Sequence, residues 1–296
     1  MIEQILNIFQ GFRMTPTPLD QYESKGKEIL GNKIAGYVSD NKPLRFVMLG
    51  FPFKSTNHRD KVLGSDTDLG EDLTIKNFAL FNQQIQTSYK PGIVLNMVSD
   101  GFVFNDILGV SPAEVEAYKE QSMDLTTAHQ APVQWFDLRD FYRTTLSQGR
   151  EQLTEHFGIT PEKLEHEILF NPDVNFLYRG MIRFMEEELA PQNHPSRNQL
   201  QKAAKKLTRE MMFRNEAYSN LVKEEFKDCI RLSMHPSVNS GAKYSFQLIP
   251  GARHSAWHSS IALYNDGRIE TIHRKDAEQK GMKLVYKNNN PYNFIE

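Results

Sequence analysis

From Ile230 to His235 the chain alternates apolar and polar residues, the period of a strand, so Arg231, Ser233 and His235 project from one face. Pro236 ends the run at once. A second histidine, His258, sits beside Trp257 at the start of another apolar run. Lys54 follows a Gly-Phe-Pro-Phe turn directly off an apolar strand, and Lys243 precedes a further alternating segment. One guanidinium, two imidazoles and two ammonium groups suit a small phosphorylated or carboxylated molecule. The guanidinium fork holds phosphate, and an imidazole with a near-neutral pKa passes protons. Taken singly, each histidine reads as a hydrogen-bonded packing residue; only the combination points to chemistry.

Other chemistries compete for the same residues. His235 and His258 with Asp100 or Asp106 would make a two-histidine, one-carboxylate metal set, but no H-x-D or H-E-x-x-H spacing accompanies them. No G-x-S-x-G elbow supports a serine hydrolase. Asp100, in Ser99-Asp100-Gly101, is either a turn former or a carboxylate at a strand's carboxyl end, where a general base or amine anchor belongs. Asp68 and Glu71 read first as a helix N-cap and its partner three residues on.

The elements that must position these groups follow from the periodicity. Helical spacing runs from Ile2 to Phe12 and again from Leu19 to Val38. Leu44–Leu49 is an apolar strand, followed by a polar loop with Lys54, Ser55, Asn57, Arg59 and Lys61 and a helix from Asp68 to about Tyr89. Ile93–Val98 is a second near-continuous apolar strand, of the kind buried on both faces of a parallel sheet. Ser111-Pro112 opens a helix, and Val133–Asp137 reads as a third strand. Three β-loop-α units in succession predict an α/β fold with a Rossmann-like, mostly parallel sheet. Residues 138–226 read as a helical middle insertion. Strands at Ile230, Tyr244 and Trp257–Tyr264 then suggest antiparallel additions to that sheet, with an Asn265-Asp266-Gly267 hairpin. The whole chain, 1–296, reads as one domain.

Composition narrows the class. The chain has 296 residues, 24% of them charged, and a net charge of -2, which gives no bulk attraction for nucleic acid. Lys202, Lys205, Lys206, Arg209 and Arg214 are interspersed with glutamates, as on a solvated helix. One cysteine, Cys229, excludes an internal disulfide and any multi-cysteine metal cluster. No export signal and no membrane-length apolar stretch is visible, so a reduced, cytoplasmic setting is expected. There is no glycine-rich nucleotide fingerprint.

The motifs, taken in order, resemble those of the pyoverdine/dityrosine biosynthesis family. They are Phe51-Pro52-Phe53-Lys54-Ser55 with Asn57, Lys61-Val62-Leu63-Gly64, and Asp68-Leu69-Gly70-Glu71. Ser99-Asp100-Gly101 with Val103-Phe104-Asn105-Asp106, then Gly109-Val110 and Tyr118, continue the resemblance. Ile230–Ser237 and Trp257-His258 complete it, so it covers about residues 44–264. Each motif is weak alone; their order is specific.

The resemblance implies an isonitrile synthase of the PvcA/IsnA type. Such an enzyme converts the α-amine of an aromatic amino acid, tyrosine ahead of tryptophan, to an isonitrile with C2 of ribulose 5-phosphate. No metal or redox cofactor is implied. A separate iron/2-oxoglutarate oxygenase acting on the product is the implied partner. The roles then expected are phosphate binding by Arg231 and Lys61, and phosphate binding or ketone polarisation by Lys54. His258 and His235 would move protons. Asp100 or Glu71 would receive the amine or act as base. Ser55, Asn57 and Lys243 would orient hydroxyls, Ser233 would line the same strand face, and Trp257 would wall the aromatic pocket. The sequence departs from the family's pattern at Thr67, where proline is frequent, and at Ser255-Ala256, where Thr-Pro is frequent; both bear on loop rigidity. An N-formyl-tyrosine-forming enzyme of the same family, a metal-dependent hydrolase and a non-catalytic binding protein are the competing readings.

Overall fold

The structure is a computed structural model and describes residues 1–190, 196–252 and 255–296. The two apolar runs form its centre. Leu44–Leu49 (β1) and Ile93–Val98 (β2) pair in parallel, from Leu44 opposite Ile93 to Leu49 opposite Val98. Val133–Phe136 (β3) extends the sheet beyond β2. Ile230–Ser233 (β4) pairs with the other side of β1, and Tyr244–Ser245 (β5) lies outside β4. The order is β3-β2-β1-β4-β5, every pair parallel. The chain therefore builds outward from β1 in one direction and later returns to its opposite edge. In open α/β sheets the carboxyl ends of the strands flanking such a reversal, here β1 and β4, are where ligands bind.

Alternation along β1 gives the sheet a core on each face. Phe46 and Met48 pack with Ile2–Gly11 (α1), Lys27–Ser39 (α2) and Leu69–Ser88 (α3). Val47 packs on the other side with residues of Gly101–Leu108 (α4) and of the helical insertion. Pro112–Ala128 (α5) contributes to both cores through Tyr118 and Val115. The insertion comprises Leu138–Phe141 (α6), Leu146–Phe157 (α7), Pro161–Phe170 (α8), Pro172–Leu189 (α9) and Arg197–Glu225 (α10). Residues 191–195 within it lie outside the described residues.

Several expectations are corrected. The strands at Ile230 and Tyr244 are parallel members of the main sheet. The antiparallel pairing expected near the C-terminus occurs in a second sheet of Ser260–Leu263 (β6), Ile269–Ile272 (β7), Lys283–Lys287 (β8) and Asn290–Ile295 (β9), with Arg274–Gln279 (α11) between β7 and β8. β6 and β9 pair in parallel at its middle. Ala256–His258 is a 3-10 turn instead of the start of β6. The polar turn at Ser99 runs straight into α4. The helix expected from Leu19 is a short π-helical segment, Tyr22–Gly26, leading into α2.

Candidate active site

The loop after β1 enters through a strained residue. Phe51 has φ 55, a left-handed value that costs a non-glycine residue roughly 1–2 kcal/mol. It is held there by Trp257 and Trp135, with ring centroids 4.9 and 5.2 Å away, and by Ser99 Oγ, which donates to its carbonyl at 2.9 Å. The bend turns Lys54 inward, where it is 3% exposed. Its ammonium group lies 2.8 Å from Glu71 Oε2 and 2.9 Å from Asp68 Oδ2, and donates to the Ala256 carbonyl at 3.0 Å. An ammonium has three protons, so none remains for a substrate. Burial alone would lower the Lys54 pKa; Asp68 and Glu71 reverse this and hold it above its usual value.

Asp68 and Glu71 do form the capping box of α3. Glu71, fully buried, also accepts from Tyr118 Oη at 2.8 Å. Its oxygens are thus committed to Lys54, Tyr118 and the Asp68 backbone, with none turned toward a substrate amine. Burial raises Asp68, Lys54 opposes it and Glu71 adds to it, leaving the carboxyl at about 7. Lys54 thereby ties α3 to the turn that carries His258. Gly70 permits the approach, since a Cβ there would sit 3.0 Å from that of Ala256.

Ser55, Asn57 and Lys61 serve the same loop. Their centre is Glu188, near the end of α9 and 1% exposed. Glu188 accepts from Ser55 Oγ at 2.7 and 2.8 Å, Thr56 N at 2.9 Å, Thr56 Oγ1 at 3.1 Å and Lys61 Nζ at 2.9 Å. Lys61 also pairs with Glu187 at 2.8 Å, and Asn57 Nδ2 donates to the Glu187 carbonyl at 2.8 Å. Lys61, expected at a sugar phosphate, already faces two carboxylates. Burial would raise the Glu188 carboxyl; Lys61 and His258 hold it below its usual value. Glu188 is one of three consecutive glutamates, and its signal was positional: it lies three residues beyond Met185 and ten beyond Tyr178, both buried on the same helix face.

A second set of groups has no ion-pair partner among the described residues. Among the described residues Arg231 donates to the α10 residue Ser219, to its Oγ at 2.8 Å and its carbonyl at 3.5 Å. Burial lowers its pKa, opposed by Glu216. Burial and the Arg231 charge lower Lys243; burial and the Lys243 charge lower His235. Ser233 Oγ closes a local turn with His235. His258 packs edge-on against Phe184 of α9 at 5.2 Å, and its Nδ1 is buried without a hydrogen-bond partner. Burial holds its pKa down at about 3: Glu188 pulls upward, while Lys61, His235 and Lys54 push down. The imidazole is therefore neutral at physiological pH. Asp100, the N-cap residue of α4, makes no side-chain cap; its Oδ1 is buried and unpartnered, and burial raises it to about 6. Its charge acts on Tyr218, the α10 neighbour of Ser219.

The structure thus divides the expected residues. Arg231, Lys243, His235 and His258 form a chain in which each feels its neighbour's charge, and Asp100 joins through α10. Lys54, Ser55, Asn57, Lys61 and Glu71 form the frame behind them. Trp257, expected to wall the substrate pocket, is fully buried against Phe51. Among the described residues no three His, Cys, Asp or Glu side chains gather to hold a metal ion, so the set of His235, His258 and Asp100 or Asp106 does not form. Asp106 pairs with Arg214 at 2.7 Å and Arg150 at 3.4 Å. Arg209 and Arg214 on α10 are likewise committed to Glu165 and Glu210. Among the described residues no helix is long and apolar enough to cross a membrane.

The family model for pyoverdine/dityrosine biosynthesis proteins matches residues 34–285. The chain belongs to that family. Among its relatives, an L-tryptophan isonitrile synthase of Fischerella ambigua is 30% identical over 88% of this chain and 80% of its own length. An L-tyrosine isonitrile synthase of Xenorhabdus nematophila is 27% identical over 100% of this chain and 90% of its own. The isocyanide synthase xanB of Aspergillus fumigatus is 32% identical over 88% of this chain, but the match spans only 37% of that longer protein. The crystal structure of the Pseudomonas aeruginosa PvcA protein superposes with a TM-score of 0.92 at 26% identity, covering 99% of each chain. The family's α/β fold, with its second mixed sheet, is therefore the fold seen here.

Proposed function

We propose that this family member is an isonitrile synthase that converts the α-amine of an aromatic L-amino acid, with tyrosine ahead of tryptophan, using C2 of ribulose 5-phosphate. The observation that carries the reading is the pair of cations Arg231 and Lys243, placed at matching positions of the β4–β5 register, with no ion-paired carboxylate between them among the described residues. A half-buried guanidinium beside an exposed ammonium creates a site for an anion, and a phosphate monoester supplies one. His235 adds a donor on the same side. The sugar ketone then lies toward Asp100 and His258. The substrate amine attacks C2, water leaves to give an imine, and carbon–carbon bonds on both sides of that carbon break. A carboxyl lifted to about 6 is suited to taking protons from the ammonium and from sugar hydroxyls, and a neutral imidazole to hydrogen-bonding the hydroxyls beside it. This keeps Arg231 at the phosphate, moves Lys243 there, and removes Lys61, Lys54 and Glu71 from direct contact. The names of the relatives, which act on tyrosine or tryptophan, support the substrate class. A separate iron/2-oxoglutarate oxygenase is the partner proposed to consume the product.

The test is incubation of the protein with ribulose 5-phosphate and each aromatic amino acid, in buffer and in chelator. Product is read by mass and by the isonitrile infrared stretch. Isonitrile from tyrosine in both conditions supports the reading. A formamide mass points to N-formyl-tyrosine formation, and product only with added metal points to the hydrolase-type alternative.

A further inference from the structure

We propose that Glu188 is a positioning residue of this reaction: it locks the loop after β1 to the helical insertion and thereby fixes the position of His258. The proposal rests on the isonitrile-synthase reading above. Two routes connect Glu188 to His258. Along the first, Glu188 fixes Ser55 through its hydroxyl, and the Ser55 amide donates to the Trp257 carbonyl at 2.8 Å, the residue next to His258. Along the second, Phe184, one turn earlier on α9, meets the His258 ring edge-on at 5.2 Å and lies under Lys61 Nζ at 4.9 Å. Lys61 is itself bonded to Glu188 at 2.9 Å. The groups whose charges face His258 are Glu188, Lys61, His235 and Lys54.

Neutralising Lys61 does not account for Glu188. Glu187 already pairs with Lys61 at 2.8 Å, so the second carboxylate exceeds what one ammonium requires. A carboxylate in a buried position is costly unless its lone pairs are used. Here they are used by Ser55, Thr56 N–H and Thr56 hydroxyl, all on the loop. The side chain therefore organises backbone geometry. A glutamine would offer one accepting oxygen and turn an N–H₂ group toward donors, so the loop could not keep all of these bonds.

The experiment compares Glu188→Gln, Glu188→Asp and the double variant Glu188→Gln with Lys61→Met. Steady-state kinetics on both substrates are combined with nitrogen-15 NMR of the His258 imidazole. Displacement of a positioned group by about 1 Å lowers turnover roughly 100-fold. Glu188→Gln is expected to lower kcat on that order, with KM for amino acid and sugar within about threefold of the parent. Glu188→Asp, which keeps the charge and shortens the reach, is expected to recover part of kcat and guards against a misfolded glutamine variant. The double variant is expected not to recover. A kcat within threefold for Glu188→Gln overturns the proposal. So does recovery in the double variant, which would make Glu188 a counter-ion alone. So do unchanged His258 resonances. If the parent protein makes no isonitrile, the functional reading fails, and the resonances still decide whether Glu188 controls His258.

Discussion

Arg231 and Lys243 are neighbours on adjacent parallel strands, each one residue upstream of the paired Leu232 and Tyr244. Two cations held side by side repel, and the Arg231 charge, with burial, disfavours the Lys243 proton. A bound dianion removes that penalty. Arg231→Ala or Lys243→Ala should raise KM for ribulose 5-phosphate about 30-fold, the equivalent of about 2 kcal/mol from one charge-assisted contact. KM for the amino acid should stay within a small factor. Thermal melts of the ligand-free variants should show little loss, because the repulsion disappears with the side chain. An unchanged sugar KM in both variants would remove this pair from the phosphate site.

Asp100 combines an exposed role with a structural penalty. Its folded-state value of about 6 exceeds the ordinary 3.8, so the native protein binds this proton more tightly than the unfolded chain. Stability from this group is therefore greatest at low pH and is lost as pH rises from about 4 through 6. Asp100→Asn keeps a residue suited to N-capping and removes the charge. At pH 7–8 it should be more stable than the parent by about 1–2 kcal/mol, less than the full linkage because the group touches solvent, and the advantage should vanish near pH 4. Activity should fall by at least about 100-fold, and parent kcat/KM should climb with pH through about 6. Tyr218, whose own pKa is driven well above the usual phenol value, is the facing titratable group and stays neutral over that range. A destabilised Asp100→Asn at pH 8 would contradict the burial argument.

The central strands were legible because β1 and β2 are buried on both faces and so read as near-continuous apolar runs. The capping box of α3 was legible because it is a local pattern of Asp68 and Glu71. What local pattern does not carry is who meets whom. Lys54 stood out as a cation off a buried strand, but its three partners come from α3 and from a turn some 200 residues later, so its saturation appears only in the fold. Glu188 is not set apart by local pattern, because it is one of three consecutive glutamates and its partners Ser55 and Thr56 lie 133 and 132 residues earlier. β8 and β9 were missed because their residues are largely polar or half-exposed and offer no apolar alternation. The motifs mark a neighbourhood, and only the fold separates residues that are saturated by partners from those that are not.

Lys54 provides a direct check of that division. Lys54→Met should destabilise the protein by about 3–5 kcal/mol at pH 7, since it leaves Asp68 and Glu71 buried without their cation. Asp68, already raised by burial and opposed by Lys54, would then titrate still higher in the folded state than in the unfolded one. Acids with raised folded values contribute stability below their unfolded pKa and lose it as pH rises, so the variant should regain stability relative to the parent toward pH 5. Chemical denaturation at pH 5 and pH 7 measures this. A variant as stable as the parent at pH 7, with only its sugar KM raised, would return Lys54 to the phosphate.

Gly101 sets how closely the carboxyl ends of β1 and β2 approach. A Cβ at this position would lie 2.4 Å from the Pro52 carbonyl oxygen and 2.7 Å from Val115 Cγ1, distances that no side chain tolerates. The first contact is with backbone, so the neighbour cannot rotate away. Gly101→Ala should force the loop after β1 apart from the start of α4, at a cost of about 1–3 kcal/mol. Because Asp100 immediately precedes Gly101 and Ser99 Oγ holds the Phe51 carbonyl at 2.9 Å, the displacement would reach both the proton-taking carboxyl and the strained turn. The expected result is a lower melting temperature together with a fall in kcat larger than any change in sugar KM, since Arg231 and Lys243 stand on other strands. Gly101→Ser should behave in the same way, as its Cβ meets the same oxygen. Full activity in Gly101→Ala would mean that the two strand ends need not touch for the chemistry to proceed.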